Sequence, residues 1–326
     1  MHKSSFLSAL ILVLAVQCLV AQDKQATPRT VYVTVEQSKT DFVRGLKVEH
    51  FKVFQDKEEK PIVSFRTTPE PMSIGFMYDV SGSMDTDYVK DPNDAAAAIY
   101  DAARQQSGDN EYFLMGFNNT LEVLADWTSD PETLSKGLKN LPSVRRKKGS
   151  GNTAIYDACF TAIEKLNSSG KGKRVLIMFT DGADNVSRRH RNEVIKLASR
   201  SSVLIYSVTL KELVTAGSPY VGATSSIPQM EGRNFLEDIT GLTGGTTLFV
   251  DSGSPENTAR GPIKGWKSRF GLTFDRIFFE LQSQYTIRYF PDESKKGAGS
   301  VDIKISPPAE TLKGKRNISL RYRKKF

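Results

Sequence analysis

The chain is expected to be an α/β protein: a doubly wound, mostly parallel sheet with helices on both faces, joined to a strand-rich unit built from its two ends. Three observations predict this. Between residues 73 and 250, short apolar runs rich in β-branched residues alternate with helical patterns, which implies parallel strands joined by crossover helices. Two of the apolar runs stop at an acid with glycine close behind, where a strand can turn sharply. Strand patterns without helices fill residues 30–66 and return after residue 285.

Taken in order, residues 1–21 read as a signal peptide, with Lys3 at the positive start, an apolar run over 6–16 and cleavage after Ala21. Leu19 is larger than such a site prefers, and the run is short for a membrane span. The mature chain is therefore expected to be exported, secreted or periplasmic, with no transmembrane span. Of the two cysteines, Cys18 falls in this segment, so Cys159 has no internal partner, a pattern that fits a bacterial exported protein. Strands are expected over 30–36, 50–55 and 61–66, with 56–60 as a charged turn. Helices follow over 93–106, 130–141, 153–167, 191–199, 234–240 and 270–282, and strands over 111–117, 120–125, 175–180, 203–209 and 246–250. Residues 213–233, rich in Gly, Ser and Pro, read as a long surface loop. Strands over 285–290, 301–306 and 317–323 end the chain. Three strands at either end are marginal alone, so one sandwich pooled from both ends is favoured over two separate extensions.

The chemistry-bearing stretch is 73–84, an apolar strand ending in Asp79, Ser81 and Ser83, with Gly82 at the turn. Such an oxygen cluster suits a hard cation, although Asp and Ser also gather at turns for local reasons. Two later stretches add to it. A glycine-rich loop, Gly151-Asn152-Thr153, opens a helix, and the apolar run from Arg174 ends in Asp181-Gly182. In order, context and interval these stretches resemble a von Willebrand factor type A (VWA) domain with a complete metal-ion-dependent adhesion site, over roughly 71–250.

The resemblance implies a Rossmann-like VWA domain over 71–282, flanked by β-sandwich strands over 28–68 and 283–326. It implies that Asp79, Ser81, Ser83, Thr153 and Asp181 surround a divalent cation. Ser81, Ser83 and Thr153 would bind directly or nearly so, and the two acids partly through water. Mg²⁺ is the expected ion, with Mn²⁺ or Ca²⁺ as alternatives, since hard oxygen donors do not select zinc. In the family, an Asp or Glu of a protein partner completes the coordination, and a C-terminal helix, here a candidate over 270–282, moves. Residues 45–56 and 62–65 resemble the β-rich lead-in of secreted VWA proteins described mainly from Acidobacteria.

Two basic runs flank these loops: Arg145, Arg146, Lys147 and Lys148 before Thr153, and Arg188 and Arg189 after Asp181. They are read either as a solvated surface or as a cationic rim that steers an acidic partner. Asp85, Asp157 and Asp184 are expected to cap loops or helices. The net charge of +8 invites a nucleic-acid reading, but the sequence holds no recognition motif for one. His50 and His190 lack metal-ligand spacing, and no Ser-His-Asp arrangement is visible. The chain is thus expected to be a binding module and not an enzyme. The alternatives are a scaffold with a purely stabilising metal site and a metal-dependent hydrolase of an anionic substrate. Nothing in the sequence sets the oligomeric state.

Overall fold

The computed structural model describes residues 27–38, 41–84, 92–105, 109–142, 151–211, 226–251, 269–292, 299–308 and 318–326. The expected signal peptide lies outside them. The chain begins with β1 (Arg29–Ser38), β2 (Asp41–Phe42), β3 (Phe51–Gln55), β4 (Glu58–Lys60) and β5 (Ile62–Arg66). The expected charged turn over 56–60 is in fact tighter. Asp56 and Lys57 both take positive φ (50° and 73°), which is the geometry of a two-residue hairpin, and it frees 58–60 to pair as β4.

A central sheet follows, made of β6 (Met72–Asp79), β7 (Glu111–Phe117), β8 (Leu121–Thr128), β9 (Lys173–Phe179), β10 (Val203–Lys211) and β11 (Thr247–Asp251). Its order is β11-β10-β9-β6-β7-β8, parallel throughout except where β8 returns antiparallel on β7. The helices are α1 (Pro92–Gln105), α2 (Pro131–Lys139), α3 (Ile155–Asn167), α4 (Arg191–Arg200), α5 (Ser226–Thr243) and α6 (Arg269–Ser283).

Strand alternation sends β6 side chains to opposite faces. Ile74, Phe76 and Tyr78 pack under α1, α2 and α6, whereas Met77 packs under α3, α4 and α5. Gly75 points at the ring of Phe113, where a Cβ would come within 2.3 Å, so only glycine lets that ring fill the layer. In α3, Ile155, Ala158, Cys159, Ala162, Ile163 and Leu166 form one buried helical stripe. Burying each of its large aliphatic side chains contributes roughly 1.5–3 kcal/mol. Cys159 sits in that stripe with its sulfur 3.4 Å from that of Met178, and burial pushes the thiol pKa up, so it is core packing.

The chain closes with β12 (Tyr285–Tyr289), β13 (Val301–Ile305) and β14 (Ser319–Arg321). One antiparallel sheet runs β14-β1-β12-β5 with β2 beside β1, and a second runs β13-β3-β4. Each mixes strands from both ends of the sequence. Val31, Val33, Ile287 and Tyr285 of the first sheet share a core with Val53 and Ile303 of the second. The ends therefore form one shared β-sandwich.

The sandwich meets the central sheet at a buried polar cluster. Glu280 of α6 accepts both terminal nitrogens of Arg321 (2.7 Å each), the Tyr206 hydroxyl (2.6 Å) and the Thr34 hydroxyl (3.2 Å). Gln284 donates to Thr34 and Tyr206, and Arg321 also pairs with Glu36. Nearby, Lys173 donates to the Leu281 carbonyl (2.7 Å), and burial draws its pKa down to about 7.

Candidate functional site

Parallel pairing of β6 and β9 runs from Met72–Lys173 to Tyr78–Phe179. Asp79, which ends β6, therefore lies beside Thr180 and Asp181, which leave β9. This is where the winding of the sheet reverses, since β6 leads outward to β7 and β8 while β9 leads the other way to β10 and β11. Open α/β sheets hold ligands outside the carboxyl ends of their strands at such a reversal.

Asp79 is wholly buried. Its Oδ1 accepts the Ser81 amide (2.9 Å) and its Oδ2 accepts the Thr180 hydroxyl (2.6 Å). Thr180 Oγ1 accepts in turn from the Gly182 amide (3.0 Å), tying the two loops together. Asp181 is half-buried, with Oδ1 accepting the Ala183 amide (2.9 Å). Burial first, then the charge of Asp181, pushes the Asp79 pKa up to about 7, against hydrogen bonds from Ser81 and Thr180. Among the described residues, no cationic side chain forms an ion pair with either carboxylate.

Ser81 is buried, and its carbonyl accepts the Met84 amide (3.1 Å) to close the short 3-10 turn Gly82–Met84. Ser83 lies in that turn, and its side chain is outside the described set. A Cβ on Gly82 would meet Gly151 Cα at 3.3 Å, so the serine turn and the 151–153 loop touch backbone to backbone. Thr153 is not the first residue of α3, as the sequence suggested, but part of the preceding loop. The side chain of Asn185 holds it there by accepting the Thr153 amide (2.8 Å), while the Thr153 carbonyl accepts the amides of Asn185 (3.0 Å) and Val186 (3.3 Å).

Residues 226–233 correct a second expectation, because they form the first turns of α5 and not a loop. Gly232 is there for contact: a Cβ on Gly182, which takes φ +83°, would lie 2.5 Å from the Gly232 carbonyl oxygen. A glycine that looks like a loop signal thus lets α5 press directly on the Asp181 loop. Four expected residues, Asp79, Ser81, Thr153 and Asp181, are brought to one end of the sheet with buried or half-buried oxygens.

Residues 74–183 match the family model described as von Willebrand factor type A domain. Over those residues the chain is similar to a VWA-type domain. No curated protein matches it. Among solved structures it is similar to an aerotolerance-related membrane protein from Bacteroides fragilis, at 15% identity and TM-score 0.46, over 64% of this chain and 98% of that one. It is also similar to the vWF domain of the type V pili tip protein Mfa5 from Porphyromonas gingivalis, at 11% identity and TM-score 0.45, over 66% and 97%. A third is proximal thread matrix protein 1 from the mussel byssus, solved with a zinc-occupied MIDAS motif, at 13% identity and TM-score 0.46, over 70% and 49%.

Around these loops, Arg145, Arg146, Lys147, Lys148 and Asp85 lie outside the described residues. Asp157 and Asp184 brace the loop after Asp181. Asp157 accepts the amides of Arg188 and Arg189 (3.0 Å each), and Asp184 accepts the Ser187 hydroxyl (2.5 Å). Ser187 Oγ accepts the amides of Tyr156 (3.1 Å) and Asp157 (3.3 Å), capping α3 from another loop. The Arg189 guanidinium lies 3.5 Å from the ring centroid of Phe160, folded onto α3. Arg188 lines a cleft of about 410 Å³ with Asn119, Asn152 and Val186, beside the Thr153 loop. His190 is exposed at the start of α4, and His50 Nδ1 accepts the Lys47 amide (2.9 Å). Among the described residues, the acids at the site number two. No group of three or more His, Cys, Asp or Glu side chains converges anywhere among the described residues. No described helix is long and apolar enough to cross a membrane.

Thr180, Asn185, Ser187 and Gly232 position the site and were not singled out in the sequence. Thr180 directly precedes Asp181, so its place was open to reading. The other three act through contacts with distant loops that no local pattern announces.

Proposed function

We propose that this chain is an exported, non-enzymatic protein-binding module that holds its partner through a divalent cation. Asp79, Ser81, Ser83, Thr153 and Asp181 would hold the ion. The observation that carries this reading is the pair of carboxylates at the end of β6 and β9, one of them fully buried, without a cationic neighbour among the described residues. Two buried like charges side by side are unfavourable unless one is protonated or a cation lies between them. The donor set fits such an ion, since carboxylates and hydroxyls are hard ligands suited to Mg²⁺, Mn²⁺ or Ca²⁺. Once bound, a cation compensated by two carboxylates and neutral hydroxyls retains Lewis acidity toward a further carboxylate.

The chain's own residues prepare that contact. Thr180 fixes the Asp79 carboxylate, Asn185 fixes the Thr153 loop, and the close approach of Gly182 and Gly232 fixes the Asp181 loop. Arg188, with the basic run Arg145–Lys148, would form a rim that speeds the approach of an acidic partner. Export is supported by the N-terminal sequence alone.

The test is a water-relaxation titration of the Mn²⁺-loaded protein with a short glutamate-bearing peptide. A saturable fall in relaxivity as the peptide carboxylate displaces metal-bound water, absent with the glutamine version, is the expected result. Relaxivity unchanged up to millimolar peptide, with the metal bound, would overturn partner coordination and leave a stabilising metal as the reading.

A further inference from the structure

At the opposite end of the central sheet, where the parallel strands begin, the sandwich and the VWA-type domain enclose a cleft of about 460 Å³. Its lining comes from the start of β1 (Arg29, Tyr32), the start of β9 (Arg174), the end of α4 with its following turn (Arg200), and the C-terminal segment (Arg323, Phe326). No Asp or Glu side chain among the described residues lines it. Glu70, whose charge reaches Tyr32, pairs instead with Arg66 at 3.5 Å.

The arginines do not have equal partners. Arg323 closes the C-terminus of α4, donating to the carbonyls of Ala198 (3.2 Å), Val203 (3.0 Å) and Ser201, so its donors are used within the fold. Arg174 makes one long contact through Nη2 to the Ser169 carbonyl (3.5 Å), and its Nε is buried with no hydrogen-bond partner. Arg29 lies over the Phe326 ring (4.7 Å), which Arg323 also faces (5.6 Å), and Arg29 Nη1 is likewise buried and unpartnered. Arg29 also faces the Tyr289 hydroxyl in a long side-chain contact, so Arg174 is the less satisfied of the two guanidinium groups. Guanidinium groups stay charged at any accessible pH, and a buried donor left unmatched destabilises the fold. Retaining such groups in a walled cleft without acids is understandable if something else supplies the acceptor oxygens.

We infer that this cleft is an oxyanion-binding site, with Arg174 and Arg29 as its principal donors and Arg200 at its mouth, and that its ligand presents a phosphate or carboxylate group. It is separate from the cation site. The seven residues from Arg174 to Asp181, at a strand rise of about 3.3 Å, place it roughly 20 Å away.

The experiment is calorimetric titration of the full chain with inorganic phosphate and, separately, with acetate. Ionic strength is held constant with chloride, and the protein is first stripped of metal and kept in metal-free buffer so that the cation site contributes nothing. The expected result is saturable binding of one or both anions. Affinity should fall roughly tenfold or more in Arg174→Gln and in Arg200→Gln, because a charge-assisted hydrogen bond or a charge at the mouth is lost. The phosphate and acetate arms decide between the two ligand chemistries. Arg200 is exposed, so its variant keeps the test usable if Arg174→Gln does not fold. No saturable heat with either anion, or equal binding by a folded variant and the parent, would overturn the site.

Discussion

The two ends of the central sheet handle buried acids in opposite ways. At the junction with the sandwich, Glu280 is 1% exposed, yet it accepts four hydrogen bonds, two of them from Arg321. At the other end, Asp79 is 0% exposed and faces the charge of Asp181, with only hydroxyl and amide donors around it. A buried charge that the fold satisfies by itself holds the fold together. A carboxylate pair with one member wholly buried and like charges facing each other is what the proposed cation would relieve. That contrast separates a structural cluster from the proposed binding site more sharply than burial does.

The largest effect should come from breaking the satisfied end. Arg321→Met leaves Glu280 buried without its cation, and should destabilise by about 3–5 kcal/mol in urea unfolding. Metal affinity of the folded protein should not change, and a loss of metal binding there would blur the contrast.

The uncompensated end should respond to pH instead. The Asp79 pKa is raised in the fold, so the folded state holds its proton more tightly than the unfolded chain. Without metal, the stabilising contribution of Asp79 should therefore be fully present below about pH 4 and be lost as pH rises through 7. The loss is on the order of 4 kcal/mol for a shift from the ordinary value of 3.8 to about 7. Asp79→Asn should flatten this slope, and saturating Mg²⁺ should recover stability at pH 7. Melting temperatures across pH 4–8 check both.

Gly182→Ala asks an L-residue to adopt φ +83° with its Cβ 2.5 Å from the Gly232 carbonyl oxygen. A loss of about 1–3 kcal/mol is expected, together with weaker metal binding, because Asp181 directly precedes Gly182. Ser187→Ala removes the cap that the loop lends to α3, and should cost about 1 kcal/mol in the same assay while leaving metal stoichiometry intact.

Much of this was legible in the sequence because it was written locally. Strand alternation with helices announced the parallel sheet, and Asp79 and Asp181 stood at the ends of apolar runs. The shared sandwich followed from the weakness of three strands alone. What stayed hidden depends on distant contacts. Residues 226–233 read as a loop because Gly and Pro lower helix propensity, yet α5 starts at Ser226 and uses Gly232 to approach Gly182. Thr153 read as helical because its neighbours are, but Asn185 holds it in the loop from more than thirty residues away. The clamp of Glu280 on Arg321 joins α6 to a strand near the chain's end, and single charged residues in those segments gave no sign of it.

The central claim, that the carboxylate pair at the end of β6 and β9 is completed by an external cation, is tested most directly by calorimetric titration. Mg²⁺, Mn²⁺ and Ca²⁺ would be titrated into the mature protein and into Asp79→Ala at pH 7. A one-site isotherm is expected for at least one ion, even if only millimolar (about 4 kcal/mol), with proton release and with no binding by the variant. No heat with any ion and no metal-dependent rise in melting temperature would contradict it.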